Sequence, residues 1–211
     1  MHDDPLLERR GFLQLGGATI AMAALFAATA CGNDGNDATG GGEGDEEAAL
    51  GDERDVTILR TSASVALAAV DFYQRAIDGG LLTTATADAA KEFQAHHREH
   101  ADLFNGAAKA ADGEAVTQPN TVVAQALQSP LAQAKDEPAV LAFALQVENT
   151  TLATYLASVG RFKDAGLNRA TMSAGGVAAR HAAVLAGLLH QPPAAKAAFT
   201  ADGAIAPGTG L

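Results

Sequence analysis

The sequence predicts an all-α protein, a four-helix bundle with one long crossover between its second and third helices. Three observations carry that prediction. Hydrophobic residues make up 48% of the chain but aromatic residues only 5%, so the apolar content is dominated by alanine, the best helix former. Long proline-free stretches carry apolar residues at helical spacing. The breaks between these stretches are short except for one of more than twenty residues, which holds Pro119 and Pro130. Four helices joined through one long connection is a known bundle topology.

Composition also removes several functions. With 25 acidic and 14 basic residues the net charge is −11, against a nucleic-acid partner, which requires clustered Lys and Arg to displace counterions. One cysteine allows neither an intrachain disulfide framework nor a multi-cysteine zinc or iron–sulfur site. Glycine-rich phosphate loops behind a strand and Gly-x-Ser-x-Gly elbows are missing from the sequence.

Residues 1–31 read as an address. Arg9 and Arg10 precede Gly11, Phe12 and Leu13, and an uncharged stretch follows to Ala30. That stretch is too short and too weakly apolar for a stable membrane span. Arg9, Arg10, Phe12 and Leu13 resemble the bacterial twin-arginine export pattern, departing at Glu8, where that pattern usually has Ser or Thr. Ala28-Thr29-Ala30-Cys31 resembles a lipobox, with Ala28 in place of the usual larger aliphatic residue. The resemblance implies export by the twin-arginine route and lipidation at Cys31. The protein would then be anchored in a membrane by its lipid, on the outer face of the cytoplasmic membrane or in the cell envelope.

Residues 32–54 are expected to be an acidic, Gly-rich flexible tether. Nine acids fall between 32 and 55 against the single base Arg54, while 56–211 holds thirteen acids and eleven bases. Most of the net charge therefore sits ahead of the folded domain, expected over 55–191, and no apolar period orders it.

The helices follow in turn. The first is expected over 56–78, ended by Gly79-Gly80, and the second over 86–111, closed by Asp112-Gly113. Asp136-Glu137-Pro138 starts the third with a cap, an acid in the first turn and a proline where no donor is missed; it runs to about 159. The fourth is expected over 168–190, weakened by Gly175-Gly176 and stopped by Pro192-Pro193. Residues 192–211 form a small polar tail whose order the sequence leaves open.

The second helix pair repeats the first. Ala66 and Tyr73 align with Glu148 and Tyr155, and His97-Arg98-Glu99-His100 aligns with Ala178-Ala179-Arg180-His181. Tyr73 to His100 is 27 positions and Tyr155 to His181 is 26. Two helix pairs, each offering a Glu on its first helix and a Glu-x-x-His on its second, resemble the di-metal plan of the ferritin-like superfamily. The resemblance covers about 56–190. It implies ligand positions at Ala66, His97, His100, Glu148, Ala178 and His181. Glu148, His100 and His181 keep the expected residue type, His97 replaces a Glu, and Ala66 and Ala178 cannot bind.

Charge then limits the metal. One carboxylate and three neutral imidazoles around two divalent ions would leave about +3 in a low-dielectric interior. An intact di-iron oxidase or ferroxidase is therefore not expected. One divalent transition metal ion (Fe, Zn, Mn or Cu) held by His97, His100, His181 and Glu148 leaves about +1, and imidazole-rich sites suit such ions. The alternative is a metal-free bundle in which these side chains only hydrogen-bond across the core, serving as a structural or interaction module. His96 reads as a surface neighbour or a substitute for His97, and Ala-rich faces are compatible with a homo-oligomer.

Overall fold

The computed structural model of the protein describes residues 43–193 and 200–211. Among them are five helices and no strand: α1 (Glu43–Asp78), α2 (Thr84–Ala110), α3 (Thr121–Ala132), α4 (Glu137–Ser158) and α5 (Ala165–Leu188). The export and lipidation residues Arg9, Arg10, Phe12, Leu13 and Cys31 lie outside the described residues.

The helix ends follow the chemistry of the chain. α1 stops where Gly80 takes a left-handed φ of 68°, a conformation that costs glycine nothing. At the end of α2, Asp112 adopts φ 58° and the Gly113 N–H closes on the Ala108 carbonyl at 2.8 Å. A Cβ on Gly113 would stand 2.4 Å from a Val56 methyl group, so any larger residue would have to push Val56 aside. Asp136 caps α4 through the Ala139 N–H at 3.0 Å, with Pro138 in the first turn.

Three expectations about the elements are corrected. The first helix begins at Glu43 rather than 56, inside the stretch expected to be tether. Glu46, Glu47, Ala48, Ala49 and Leu50 are good helix formers, acids suit a helix N-terminus, and extending an existing helix requires no new nucleus. The last helix starts at Ala165, capped by Asp164 through the Leu167 N–H at 2.7 Å, rather than at 168. The long connection contains a helix of its own, α3, capped by the buried Asn120.

α1 packs along α2 and α4 along α5; α1 also meets α4, α2 meets α5, and α3 touches α1 and α4. Alanines at 63, 66, 69, 174 and 178 are at most 2% exposed, and such small side chains let backbones approach closely. One apolar cluster includes Phe72, Tyr73, Phe93, Leu141, Val147 and Leu185. A second includes Ile58, Leu59, Phe104, Tyr155 and Phe162. The Glu53–Asp78 part of α1 is long and apolar enough to cross a membrane, but 67% of its most apolar window is buried by the other helices. That is the environment of a core helix.

The tail, left open by the sequence, is docked over residues 200–211. The Gly208 N–H donates to Thr61 Oγ1 at 2.8 Å and the Ile205 N–H to Thr154 Oγ1 at 3.0 Å. Asn120 Nδ2 donates to the Thr209 carbonyl at 2.8 Å, and the Thr121 N–H to the Gly210 carbonyl at 3.0 Å. The tail thereby bonds to α1, α3 and α4, adding a second partner to Thr61, Thr154 and Asn120, which also bond to Thr57, Thr150 and Ser64.

Candidate metal centre

The centre is assembled from one side chain on each of the four long helices. Tyr73 comes from α1, His97 from α2, Glu148 from α4 and His181 from α5. On α4, Glu148 shares an apolar face with Leu141, Ala144, Leu152 and Tyr155, so helical periodicity carries it inward. It is fully buried, as is His97, and His181 is 4% exposed.

Contacts converge on one carboxylate oxygen. The Tyr73 hydroxyl donates to Glu148 Oε1 at 2.5 Å, and His97 Nε2 lies 2.9 Å from the same atom. His181 Nδ1 stands 3.3 Å from it without making a hydrogen bond. Glu148 Oε2, His97 Nδ1 and His181 Nδ1 are buried without a partner. A buried polar atom left alone is costly, so Glu148 Oε2 and the facing His181 Nδ1 mark a site suited to a further ligand.

Electrostatics keep the carboxylate charged. Burial by itself raises the pKa of Glu148, but His97 and His181 outweigh that effect and bring it down to about 2. Tyr73 is pushed well above its ordinary value, first by burial and then by the Glu148 charge beside its hydroxyl. It therefore stays protonated and donates.

His97, Glu148 and His181 each offer one ligand atom, all within 4.8 Å of one another. His100, the fourth residue of the expected set, is buried but outside that group. Its ring lies edge-on to His97 at 5.8 Å and to Tyr155 at 6.0 Å, one helical turn along α2. Burial, then His97 and His181, lower its pKa to about 3, so it is neutral. Ala66 and Ala178, at the other ligand positions, are completely buried and contribute no donor.

His96 takes a part that sequence reasoning missed. It is not merely a surface neighbour: its Nδ1 lies 3.0 Å from His181 Nε2, with the rings nearly parallel at 5.2 Å. Phe93 stacks on the same imidazole at 3.9 Å, so His181 is held by two residues of α2. Adjacent residues on a helix point about 100° apart, which lets His97 face the core while His96 reaches around to α5. Nothing in the spacing announces that second contact.

Among curated proteins nothing matches this chain. The ferritin-like domain family does, over residues 54–191, a span that contains all four long-helix contributions to the centre. The chain belongs to the ferritin-like domain family.

Proposed function

We propose that this is a membrane-tethered, extracytoplasmic ferritin-like protein that binds one transition metal ion at His97, Glu148 and His181. The observation that carries the reading is the convergence of these three buried donors, from three helices, within 4.8 Å. Their spacing suits one ion. With metal–ligand bonds of roughly 2.0–2.2 Å, two ligands of a tetrahedral ion stand roughly 3.3 Å apart. The pairs at 2.9 and 3.3 Å around Glu148 Oε1 are near that value. Three protein ligands leave a coordination position open, the arrangement of reactive rather than purely structural metal sites. A bound Fe, Zn, Mn or Cu ion would supply a Lewis-acidic centre there.

One ion, and not two, is what the charges allow. Glu148 supplies the only carboxylate in the group, and a divalent ion beside it leaves about +1. A second ion has no carboxylate to bridge to, because Ala66 and Ala178 fill those positions. The four long helices form the bundle in this reading, with α3 lying on the crossover between α2 and α4. Export and tethering rest on Arg9, Arg10, Phe12, Leu13 and Cys31, and Cys31→Ser is expected to release the protein from the membrane fraction.

The test is a titration of the metal-free domain with Zn(II) and Co(II). His97→Ala and His181→Ala are expected to lose uptake, whereas His100→Ala keeps it. Equal uptake by all three variants would overturn the assignment. A metal-free module is the second reading. It draws on the two bonds, from Tyr73 and His97, that Oε1 already accepts without an ion, and predicts no uptake by the wild type.

A further inference from the structure

We propose that His96 is a positioning residue of this centre: its Nδ1 accepts the Nε2 proton of His181, leaving Nδ1 of His181 as the atom that binds metal. The inference rests on the metal reading above.

An imidazole offers two nitrogens, and the bond made by one decides what the other can do. In His181 the two face different worlds. Nδ1 points to the buried carboxylate, 3.3 Å from Glu148 Oε1, and has no hydrogen-bond partner. Nε2 points to His96 Nδ1 at 3.0 Å. One of the two facing nitrogens, on His96 or on His181, must carry the proton. A proton on His96 would leave Nε2 of neutral His181 as acceptor and force the hydrogen onto Nδ1, the ligand position. A proton on Nε2 of His181 instead frees the Nδ1 lone pair towards the carboxylate. Two acceptors facing each other at 3.3 Å repel, so this is the tautomer that a cation between them stabilises, whereas without the cation a hydrogen on Nδ1 can point to the carboxylate. The metal-ready centre and the His96 acceptor are thus one arrangement.

The ring has little freedom to escape it. Phe93 stacks on His181 at 3.9 Å and 19°, and His96 lies nearly parallel at 5.2 Å and 10°. His181 is 4% exposed, whereas His96 is only part-buried. Residue 96 can therefore be changed without opening the core.

Two readouts test the role, using His96→Ala and the conservative His96→Asn, whose Oδ1 stands where the imidazole Nδ1 was. In the Zn(II)-loaded protein, 15N NMR of the histidine side chains should show His181 bound through Nδ1, with its Nε2–H held in a hydrogen bond in the wild type and in His96→Asn. In His96→Ala that hydrogen should lose its partner and exchange faster with solvent. Zn(II) titration should give one equivalent in all three proteins, with affinity lowered on the order of 10–100-fold in His96→Ala and largely restored in His96→Asn. A wild-type His181 that binds zinc through Nε2, or a His96→Ala variant with unchanged hydrogen exchange and affinity, overturns the role of His96 alone. No uptake by the wild type overturns the metal reading, and this role with it.

Discussion

The two helix pairs share one plan and hold different chemistry. Tyr73 on α1 and Tyr155 on α4 occupy equivalent places in the repeat, and both are completely buried or nearly so, at 2% and 0% exposed. Tyr73 finds Glu148 at 2.5 Å. The residue equivalent to Glu148 is Ala66, and the Tyr155 hydroxyl is buried with no partner. His100 and His181 are also equivalent, yet His181 joins the centre and His100 does not. Duplication places side chains in matching positions; the partner across the core decides whether a matching side chain has work to do. With alanine at 66 and 178, the two pairs together supply one group able to hold an ion, His97, Glu148 and His181, and leave the Tyr155 hydroxyl an orphan.

The largest break in this comparison is Glu148→Ala. It should abolish metal uptake and strand the Tyr73 hydroxyl and the His97 ring together. Roughly 1–3 kcal/mol of stability should be lost per stranded donor, read by chemical denaturation of the metal-free protein. The equivalent change on α1 cannot be made, because Ala66 is already alanine.

The acid limb of stability isolates His100. His100, with a folded pKa of about 3, refuses a proton that the unfolded chain accepts near 6.5. Its stabilising effect is complete above pH 6.5 and is lost as the pH falls from 6.5 towards 3, by at most about 1.4 kcal/mol per pH unit. Glu148 adds to this lower down. Its folded pKa of about 2 means stability present above about pH 4.5 that is lost as the pH falls further towards 2. His100→Gln should flatten the curve between pH 6.5 and 4.5 and leave the steeper fall below it. An unchanged curve would show that His100 is not held neutral by the fold.

The tyrosines give a smaller contrast with opposite signs. Tyr73→Phe removes a bond to a charged group, worth about 1.5–3 kcal/mol. Tyr155→Phe removes a hydroxyl that has no partner, and should be neutral or stabilising. Equal losses in thermal or chemical denaturation would show that Tyr155 is not an orphan.

The smallest effect lies at Gly175. A Cβ there would meet Leu152 and Tyr155 at 3.7 Å, ordinary contact distance, in the middle of α5. Gly175→Ala should stabilise by up to about 1 kcal/mol through helix propensity. Destabilisation would mean that α4 and α5 are packed too tightly to accept a methyl group.

Much of the frame was legible because local rules set it. Asp136 and Pro138 announce the start of α4, Gly79-Gly80 the end of α1, and Glu148 stands out as a charge on an apolar stripe. The doubled helix pair pointed to His97 and His181 as well. What escaped was set by tertiary contact. α3 hides behind Pro130 and depends on Asn120, whose side chain bonds to Ser64 on α1 at 3.0 Å and to the tail. The tail itself is small and polar, with no period, and is held by donors and acceptors far away in the sequence. His96 was misjudged for the same reason: its partner is 85 residues away, and spacing along α2 says nothing about α5. The Gly175-Gly176 pair does not interrupt α5, where burial against Leu152 and Tyr155 overrides poor propensity.

Metal stoichiometry tests the unequal halves most directly. The domain from Glu53 onward, purified without chelators or a histidine tag and reconstituted anaerobically with Fe, Mn, Zn or Cu, would be assayed by elemental mass spectrometry beside Glu148→Ala. The account predicts one equivalent in the wild type and none in the variant. Two equivalents would contradict it by showing a second ion held outside the His97, Glu148 and His181 group, and none with any of the four metals would contradict the centre altogether.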